Sequence, residues 1–546
     1  MKKKLPIGID DFKKIIELNY YYVDKTLFIQ DVLEKRAEVT LLTRPRRFGK
    51  TLNISTLKYF LDIKGAIENR ELFKGTKIEK TDYMEYQGKY PVIYLTMKDL
   101  DGEDFESFFE AFKTLISSLF ETHKYLREKL DERNLLFFDK IWFQEEKANY
   151  DTALKFLSQL LYDYYGVKPV ILIDEYDSPF IIANEKRYYE KVKTLLGRFY
   201  GSALKEGIIS FSVVTGILRI AKESIFSTLN NLKVSTILTG DYNYFGMTEI
   251  EVEDILKYYD LETTLGDIEK WYNGYLFGDL KVYNPWSILY HCSSGELKAF
   301  WINTSANLLI KEILREADRE IFNIFHTLLK DGSVKTTLQE NMIFGMRYSD
   351  STLLYLMFSA GYLTIDRKGE EKNQYFLTIP NYEVKEYFKD TFMEIVSPRN
   401  YGKFTDLIVA LRDGNVTGID SVEELLQTMF ETSMSYMDGS TEEKFYHNLI
   451  LGMMICTDSY FYPLSNRESG YGRYDIALEP KDITKIGYIF EFKIADNFND
   501  MDKVGLEALK QIADKKYRTD MENRGIKDVR EIALVFCKKS LRFYVK

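Results

Sequence analysis

Between Val39 and Asn53 an apolar run, Val39-Thr40-Leu41-Leu42-Thr43, gives way to a basic stretch, Arg44-Pro45-Arg46-Arg47-Phe48-Gly49, and then to Lys50-Thr51-Leu52-Asn53. The pattern predicts a buried strand, a tight loop and the first turn of a helix. That order puts backbone N–H groups and the positive end of a helix where a phosphate can sit. Gly49 lets the backbone approach closely, Lys50 reaches the outer phosphates, and Thr51 offers its hydroxyl to a magnesium ion. A strict phosphate-binding pattern, G-x-x-x-x-G-K-[ST], asks for glycine where this chain has Arg44. Taken alone, the loop leaves two readings open, a phosphate cradle and a basic turn capping a helix.

The chain has 546 residues, too many for one core, so roughly two to four domains are expected. With 45% hydrophobic and 29% charged residues it has an ordinary globular composition, and its net charge of −10 argues against coating nucleic acid by bulk attraction. Local basic patches are not excluded by that balance. Cys292, Cys456 and Cys537 are widely spaced and odd in number, which fits free thiols in a reducing compartment rather than a disulfide framework or a zinc site. Neither a signal peptide nor a membrane span is read from the sequence, and the expectation is a cytoplasmic protein without a membrane partner.

Tyr90-Pro91-Val92-Ile93-Tyr94-Leu95 reads as a short buried strand, followed by charged helical segments from Phe105 to Tyr165. Val170-Ile171-Leu172-Ile173 then ends in Asp174-Glu175, with Tyr176-Asp177 behind them. A buried strand that delivers carboxylates to its C-terminal edge places them where open α/β sheets bind ligands. There Asp174 could hold a magnesium ion and Glu175 could orient or deprotonate the attacking water, with Asp177 as a supporting acid. A further strand, Ile208 to Val214, ends in Thr215-Gly216; Thr215 would stand near the γ-phosphate if this strand neighbours the acidic one, and Arg219 could report on the same group. Strands alternating with helices predict a parallel sheet with crossovers.

Leu42-Thr43-Arg44-Pro45-Arg46-Arg47-Phe48-Gly49-Lys50-Thr51, Asp174-Glu175-Tyr176-Asp177 and Thr215-Gly216-Ile217-Leu218-Arg219 resemble the AAA-ATPase-like family of bacterial and archaeal proteins, in which R-P-R-R-F-G-K-T is the usual loop. Trp271-Tyr272-Asn273-Gly274-Tyr275, Tyr283-Asn284-Pro285-Trp286-Ser287 and Trp301-Ile302-Asn303-Thr304-Ser305 resemble the family's helical extension, and packing is the role read for them. The resemblance implies ATP and Mg²⁺ as cofactors. It assigns Arg47, Phe48, Gly49, Lys50, Thr51, Leu52, Asp174 and Thr215 to nucleotide binding, Thr51 and Asp174 to the metal, and Glu175 to catalysis.

From Leu353 to Ile365 a helix and a glycine turn lead to a strand that pairs with Gln374 to Ile379, a small winged-helix-like unit. The expected domains are 5–230 for the phosphate-loop sheet, 231–390 for a helical lid and winged-helix-like extension, 391–440 for a helical connector, and 441–546 for a last α/β domain.

That last domain opens with Glu442-Glu443-Lys444-Phe445-Tyr446-His447 heading a helix, and continues through Leu464-Ser465-Asn466-Arg467-Glu468-Ser469-Gly470-Tyr471-Gly472-Arg473-Tyr474-Asp475-Ile476. Ile486 to Ile494 follows as a strand whose alternation puts Glu491 and Lys493 on one face. Asp475 on the neighbouring strand could meet them. Two convergent carboxylates hold a hard divalent cation, and an adjacent lysine can position the attacking water or offset phosphate charge. Charges on an apolar strand need partners or a function, although a solvent-facing ion pair is the plain alternative. The order helix, hairpin, helix, strand resembles the PD-(D/E)XK nuclease superfamily, a restriction-endonuclease-like fold. By that resemblance Asp475, Glu491 and Lys493 form the catalytic triad. Asp475, Glu491 and the upstream Glu443 are metal ligands, Gln511 and Tyr517 are supports, and Arg467 and Arg473 are candidate phosphate contacts.

The sequence thus points to an α/β protein that couples an ATP-hydrolysing switch to a metal-dependent nuclease, with nucleic acid, DNA first, as partner and defence against foreign DNA as a role. A regulator whose last domain only grips nucleic acid or a protein is the alternative. A homo-oligomer is left open.

Overall fold

In the computed structural model the described residues are 2–220, 232–301, 324–325, 327–329, 332–338, 349–396, 401–414, 423–424, 426–427, 450, 454, 457, 460–465, 468–537 and 540–546. The chain divides into two compact units, one of Met1–Asn303 with Lys335–Glu383 and one of Thr304–Val334 with Val384–Lys546.

The first unit is built on five strands, β1 (Val39–Thr43), β2 (Val92–Thr96), β3 (Val170–Asp174), β4 (Phe211–Gly216) and β5 (Leu232–Ser235). They lie parallel in the order β2-β3-β4-β1-β5. Every residue of β1, β3 and β4 is buried, as expected where crossover helices cover both faces and leave no side for polar alternation. The register Leu42↔Thr215 and Thr96↔Asp174 brings the C-terminal ends of β1, β3 and β4 to one edge. Helices Phe105–Thr122, Ala153–Tyr165 and Tyr189–Glu206 fill the crossovers, the first started by a reciprocal cap between Asp104 and Ser107. β5 corrects the expected boundary at 230, because it pairs with β1 and completes the sheet.

After the sheet come helices Glu249–Tyr259, Leu265–Tyr272 and Pro285–Ser294 and a short antiparallel pair, β6 (Tyr275–Phe277) and β7 (Leu280–Val282). Val252, Ile255, Ile268, Tyr272, Tyr283 and Ile288 form their core, and Leu5, Tyr21 and Val23 of the N-terminal lead-in pack onto it. Next come β8 (Val334–Thr337), helix Asp350–Ala360, the turn at Gly361, and the antiparallel pair β9 (Thr364–Lys368) and β10 (Gln374–Thr378). Helix, glycine turn and paired strands follow the order expected from the sequence.

In the second unit a five-stranded sheet runs β11 (Phe461–Ser465), β14 (Ile476–Pro480), β15 (Gly487–Ile494), β16 (Val529–Cys537), β17 (Ser540–Val545), with β15 and β16 parallel and the other pairs antiparallel. β12 (Glu468–Ser469) and β13 (Gly472–Arg473) make a separate small hairpin. The parallel pair requires a crossover. Helix Met501–Lys515 supplies it and buries Ala508, Leu509 and Ile512 against Ala477, Ile489 and Ala533 on one face of the sheet. On the other face, Tyr488 donates its hydroxyl to the carbonyl of Leu411, on helix Tyr401–Asp413.

Candidate functional site

The phosphate loop connects β1 to helix Lys50–Leu61, and Gly49 caps that helix at φ +85°, a left-handed conformation that suits glycine. Arg47, two residues earlier, also has positive φ, at +68°. Arg44, where a strict pattern would have glycine, is a buried strut. Its guanidinium donates to the carbonyls of Thr43 and Ser235 at 2.8 and 2.9 Å and to that of Asp241 at 2.5 Å, fastening the loop to the end of β5. Gly246 N–H donates to the Phe48 carbonyl at 3.0 Å from the same following segment. The Phe48 side chain is 1% exposed and packs edge-on against Tyr275, with Phe277 5.2 Å away.

Lys50 is buried and donates Nζ to the carbonyls of Arg44 at 3.0 Å and Pro45 at 2.8 Å. Burial holds its ammonium below the usual lysine range, while Glu175 and Asp174 oppose that shift. Thr51 donates its hydroxyl to Asp174 Oδ2 at 2.7 Å, and Thr215 donates to Asp174 Oδ1. Asp174 is wholly buried, so these hydroxyls compensate the desolvation of its carboxylate. β4 lies between β1 and β3, which is why Thr215 meets the acidic strand. Glu175 has φ +52°, and burial raises its carboxyl, with Lys50 opposing. Leu52, half-buried, occupies the first turn of the helix. The exposed Arg47 lays its guanidinium over the Trp286 ring at 3.9 Å. Asp177 is buried and its charge acts on Lys50 and Glu175. Its Oδ2 accepts from Ile217 N–H at 2.8 Å and Leu218 N–H at 2.7 Å, fixing the loop after β4. Arg219 is half-buried beyond that loop.

The second unit assembles another lysine with carboxylates. Alternation along β15 sends Ile489 into the core beneath helix Met501–Lys515, and Glu491 meets Gln511 on that helix. Glu491 Oε1 accepts from Lys493 Nζ at 2.8 Å and from Gln511 Nε2 at 2.5 Å. Asp475 stands immediately before β14, and its Oδ2 accepts from the Phe492 N–H at 2.8 Å, between Glu491 and Lys493 in sequence. Gln511 also donates to the Tyr517 hydroxyl at 3.3 Å. Burial raises that hydroxyl above the usual tyrosine range; the Gln511 hydrogen bond opposes this, Glu491 and Asp475 push it further up, and Lys493 lowers it. The structure therefore brings Asp475, Glu491, Lys493, Gln511 and Tyr517 together. Glu443, Arg467 and His447 lie outside the described residues.

Among the described residues there is no cluster of three or more His, Cys, Asp or Glu able to hold a metal ion. Magnesium nonetheless suits either donor set. It binds through one or two carboxylates, keeps several waters, and takes phosphate oxygens for the remainder of its octahedron. Thr51 with Asp174, and Asp475 with Glu491, are oxygen sets of that kind.

Family models match both regions. Residues 6–226 match the family model described as a predicted AAA-ATPase. Residues 441–545 match the PD-(D/E)XK nuclease superfamily. An uncharacterized protein in the vnfD 5′ region of Azotobacter chroococcum is 27% identical over 552 residues, covering 96% of this chain and 95% of that protein. A Walker-type ATPase of Pyrococcus abyssi aligns at a TM-score of 0.38 and 14% identity, over 71% of this chain and 98% of that one, a likeness too weak to carry an argument. Among the described residues no helix is long and apolar enough to cross a membrane.

Proposed function

We propose that this chain, which joins a predicted AAA-ATPase domain to a PD-(D/E)XK nuclease superfamily domain, is an ATP-binding and ATP-hydrolysing switch that controls metal-dependent cleavage of nucleic acid. One observation supports both halves: each unit sets a lysine beside carboxylates, Lys50 next to the Thr51 that donates to Asp174, and Lys493 bonded to Glu491 with Asp475 on the N–H of the residue between them.

In the first unit the N–H groups at the start of helix Lys50–Leu61 receive the phosphates. Lys50 Nζ exchanges the carbonyls of Arg44 and Pro45 for phosphate oxygens. Thr51 and Asp174 would hold a magnesium ion, which neutralises phosphate charge when bound. Glu175 orients the attacking water and accepts its proton. In the second unit Asp475 and Glu491 would hold a divalent cation, which polarises the scissile phosphate and activates water when bound. Lys493 positions that water and offsets the charge growing on phosphate oxygen, while Gln511 keeps Glu491 in place. Two chemistries on one chain suit a cutter that must be licensed, as in defence against foreign DNA.

A second reading has the late domain gripping nucleic acid without cutting it, since Lys493 Nζ and Gln511 Nε2 both engage Glu491 Oε1. One assay separates the two. Plasmid, single-stranded DNA and RNA are incubated with and without ATP and magnesium. Cleavage by the wild type that disappears in Asp475→Ala and Lys493→Ala supports the enzyme; binding without cleavage supports the grip.

A further inference from the structure

The hairpin β12–β13 is fixed to the edge of the late site by contacts that leave its tip in solvent. Gly470, at φ +60°, lies so close to the end of helix Met501–Lys515 that a Cβ there would fall 2.3 Å from the Lys515 carbonyl oxygen and 2.4 Å from that of Lys516. Tyr471 N–H donates to the Lys515 carbonyl at 2.7 Å. Ser469 donates its hydroxyl to the Tyr517 carbonyl at 2.7 Å. A Cβ at Gly472 would stand 3.0 Å from the Tyr517 ring and 3.2 Å from its hydroxyl, the group that Gln511 also touches on its way to Glu491. The hairpin is thus held rigidly beside the lysine–carboxylate cluster.

What it holds up is an aromatic ring. Tyr471 is 72% exposed, and Lys516 Nζ lies 5.5 Å from its ring centroid. Beside Lys516 opens a cleft of about 490 Å³ that Arg518, Arg530 and Lys546 also line. Glu522, Asp528 and Glu531 line the same cleft, Arg518 being tied to Glu522 and Glu531 and Arg530 to Asp528, so the cation that serves the ring is Lys516. An exposed ring with an ammonium at its face matches a polynucleotide whose bases are free to leave the stack: one base lies on the ring and a neighbouring phosphate meets the ammonium. Bases inside a duplex present their edges and not their faces, so they cannot stack on such a ring without being unpaired.

We infer that Tyr471 is a stacking platform for an unpaired base and that the late site takes single-stranded nucleic acid. This inference rests on the nuclease reading proposed above and names its substrate class. The test uses the full chain in EDTA, so that no strand is cut, with a labelled oligothymidine of about 20 nucleotides and a blunt duplex of the same length. Wild type should bind the single strand about tenfold more tightly than the duplex, and Tyr471→Ala should lose about tenfold on the single strand and little on the duplex. Tyr471→Trp should retain the preference, and because the side chain is exposed, thermal melting of both variants should match wild type. Equal affinity for the two ligands, or a Tyr471→Ala variant that binds the single strand like wild type, overturns the inference. Cleavage distinguishes its failure from that of its premise. If magnesium supports cutting that Tyr471→Ala leaves untouched, the platform falls and the nuclease stands. If nothing is cut but the Tyr471-dependent preference is present, the nuclease falls and the platform stands.

Discussion

At the phosphate-loop edge the carboxylate of Asp174 is wholly buried and held by two hydroxyls, whereas in the late sheet Glu491 is held by an ammonium and an amide, and the Lys493 side chain is 30% exposed. Lys50 donates to backbone carbonyls of its own loop; Lys493 donates to the carboxylate beside which it would work. The first site is closed on itself and must give up protein hydrogen bonds to admit a nucleotide, which makes occupancy a conformational event. The second pairs its charges along one strand, with the Glu491 carboxylate buried and the Lys493 side chain partly exposed.

The comparison is broken or sharpened by variants that touch one site at a time. Asp475→Ala should lower nucleic-acid cleavage by roughly a thousandfold, because it removes a proposed metal ligand and its charge, while ATP affinity measured by calorimetry stays within about twofold of wild type. Lys50→Ala should weaken ATP binding by roughly a hundredfold through loss of a buried charge-assisted phosphate contact; unchanged binding would make the loop a structural turn. Glu175→Gln should keep ATP affinity and cut hydrolysis by roughly a hundredfold. Because burial raises the Glu175 carboxyl, this base becomes protonated at a higher pH than an ordinary glutamate, so the acid limb of the hydrolysis profile should lie above the usual carboxylate range.

A smaller effect is expected at a buried acid outside both sites. Glu383 is fully buried, accepts from Ser287 and from the Trp301 N–H, and is pushed by burial up to about 7. The unfolded chain ionises this group from about pH 4.5. Stability from its neutral form is therefore complete below that value and is lost as pH rises to about 7. Glu383→Gln should flatten the dependence by about 3 kcal/mol at most, read from denaturant midpoints at several pH values.

Much of this was legible before any coordinates. β1, β3 and β4 are covered on both faces and so read as mainly apolar runs with no polar face. Glu491 and Lys493 stand out because they interrupt such a run. What stayed hidden depends on partners far along the chain. Arg44 looks like a defect in a phosphate pattern until Ser235 and Asp241 are seen to hold it, and the sequence around Phe48 does not announce that Tyr275 and Phe277 enclose its ring. β5 is half-buried at the sheet edge and its Leu-Lys-Val-Ser pattern carries no strand signal strong enough to move the boundary expected at 230. The clamp under Tyr471 is made by carbonyls of Lys515, Lys516 and Tyr517, which no side-chain pattern announces.

The most direct measurement is cleavage of labelled single-stranded and plasmid DNA by wild type and Lys493→Ala, in magnesium and in EDTA, with ATP affinity as the check that both chains fold. The account predicts cutting by wild type that requires the metal and is lost in Lys493→Ala with ATP affinity intact. Cutting that persists in Lys493→Ala, or wild type that binds ATP and cuts neither substrate with the metal present, would contradict it.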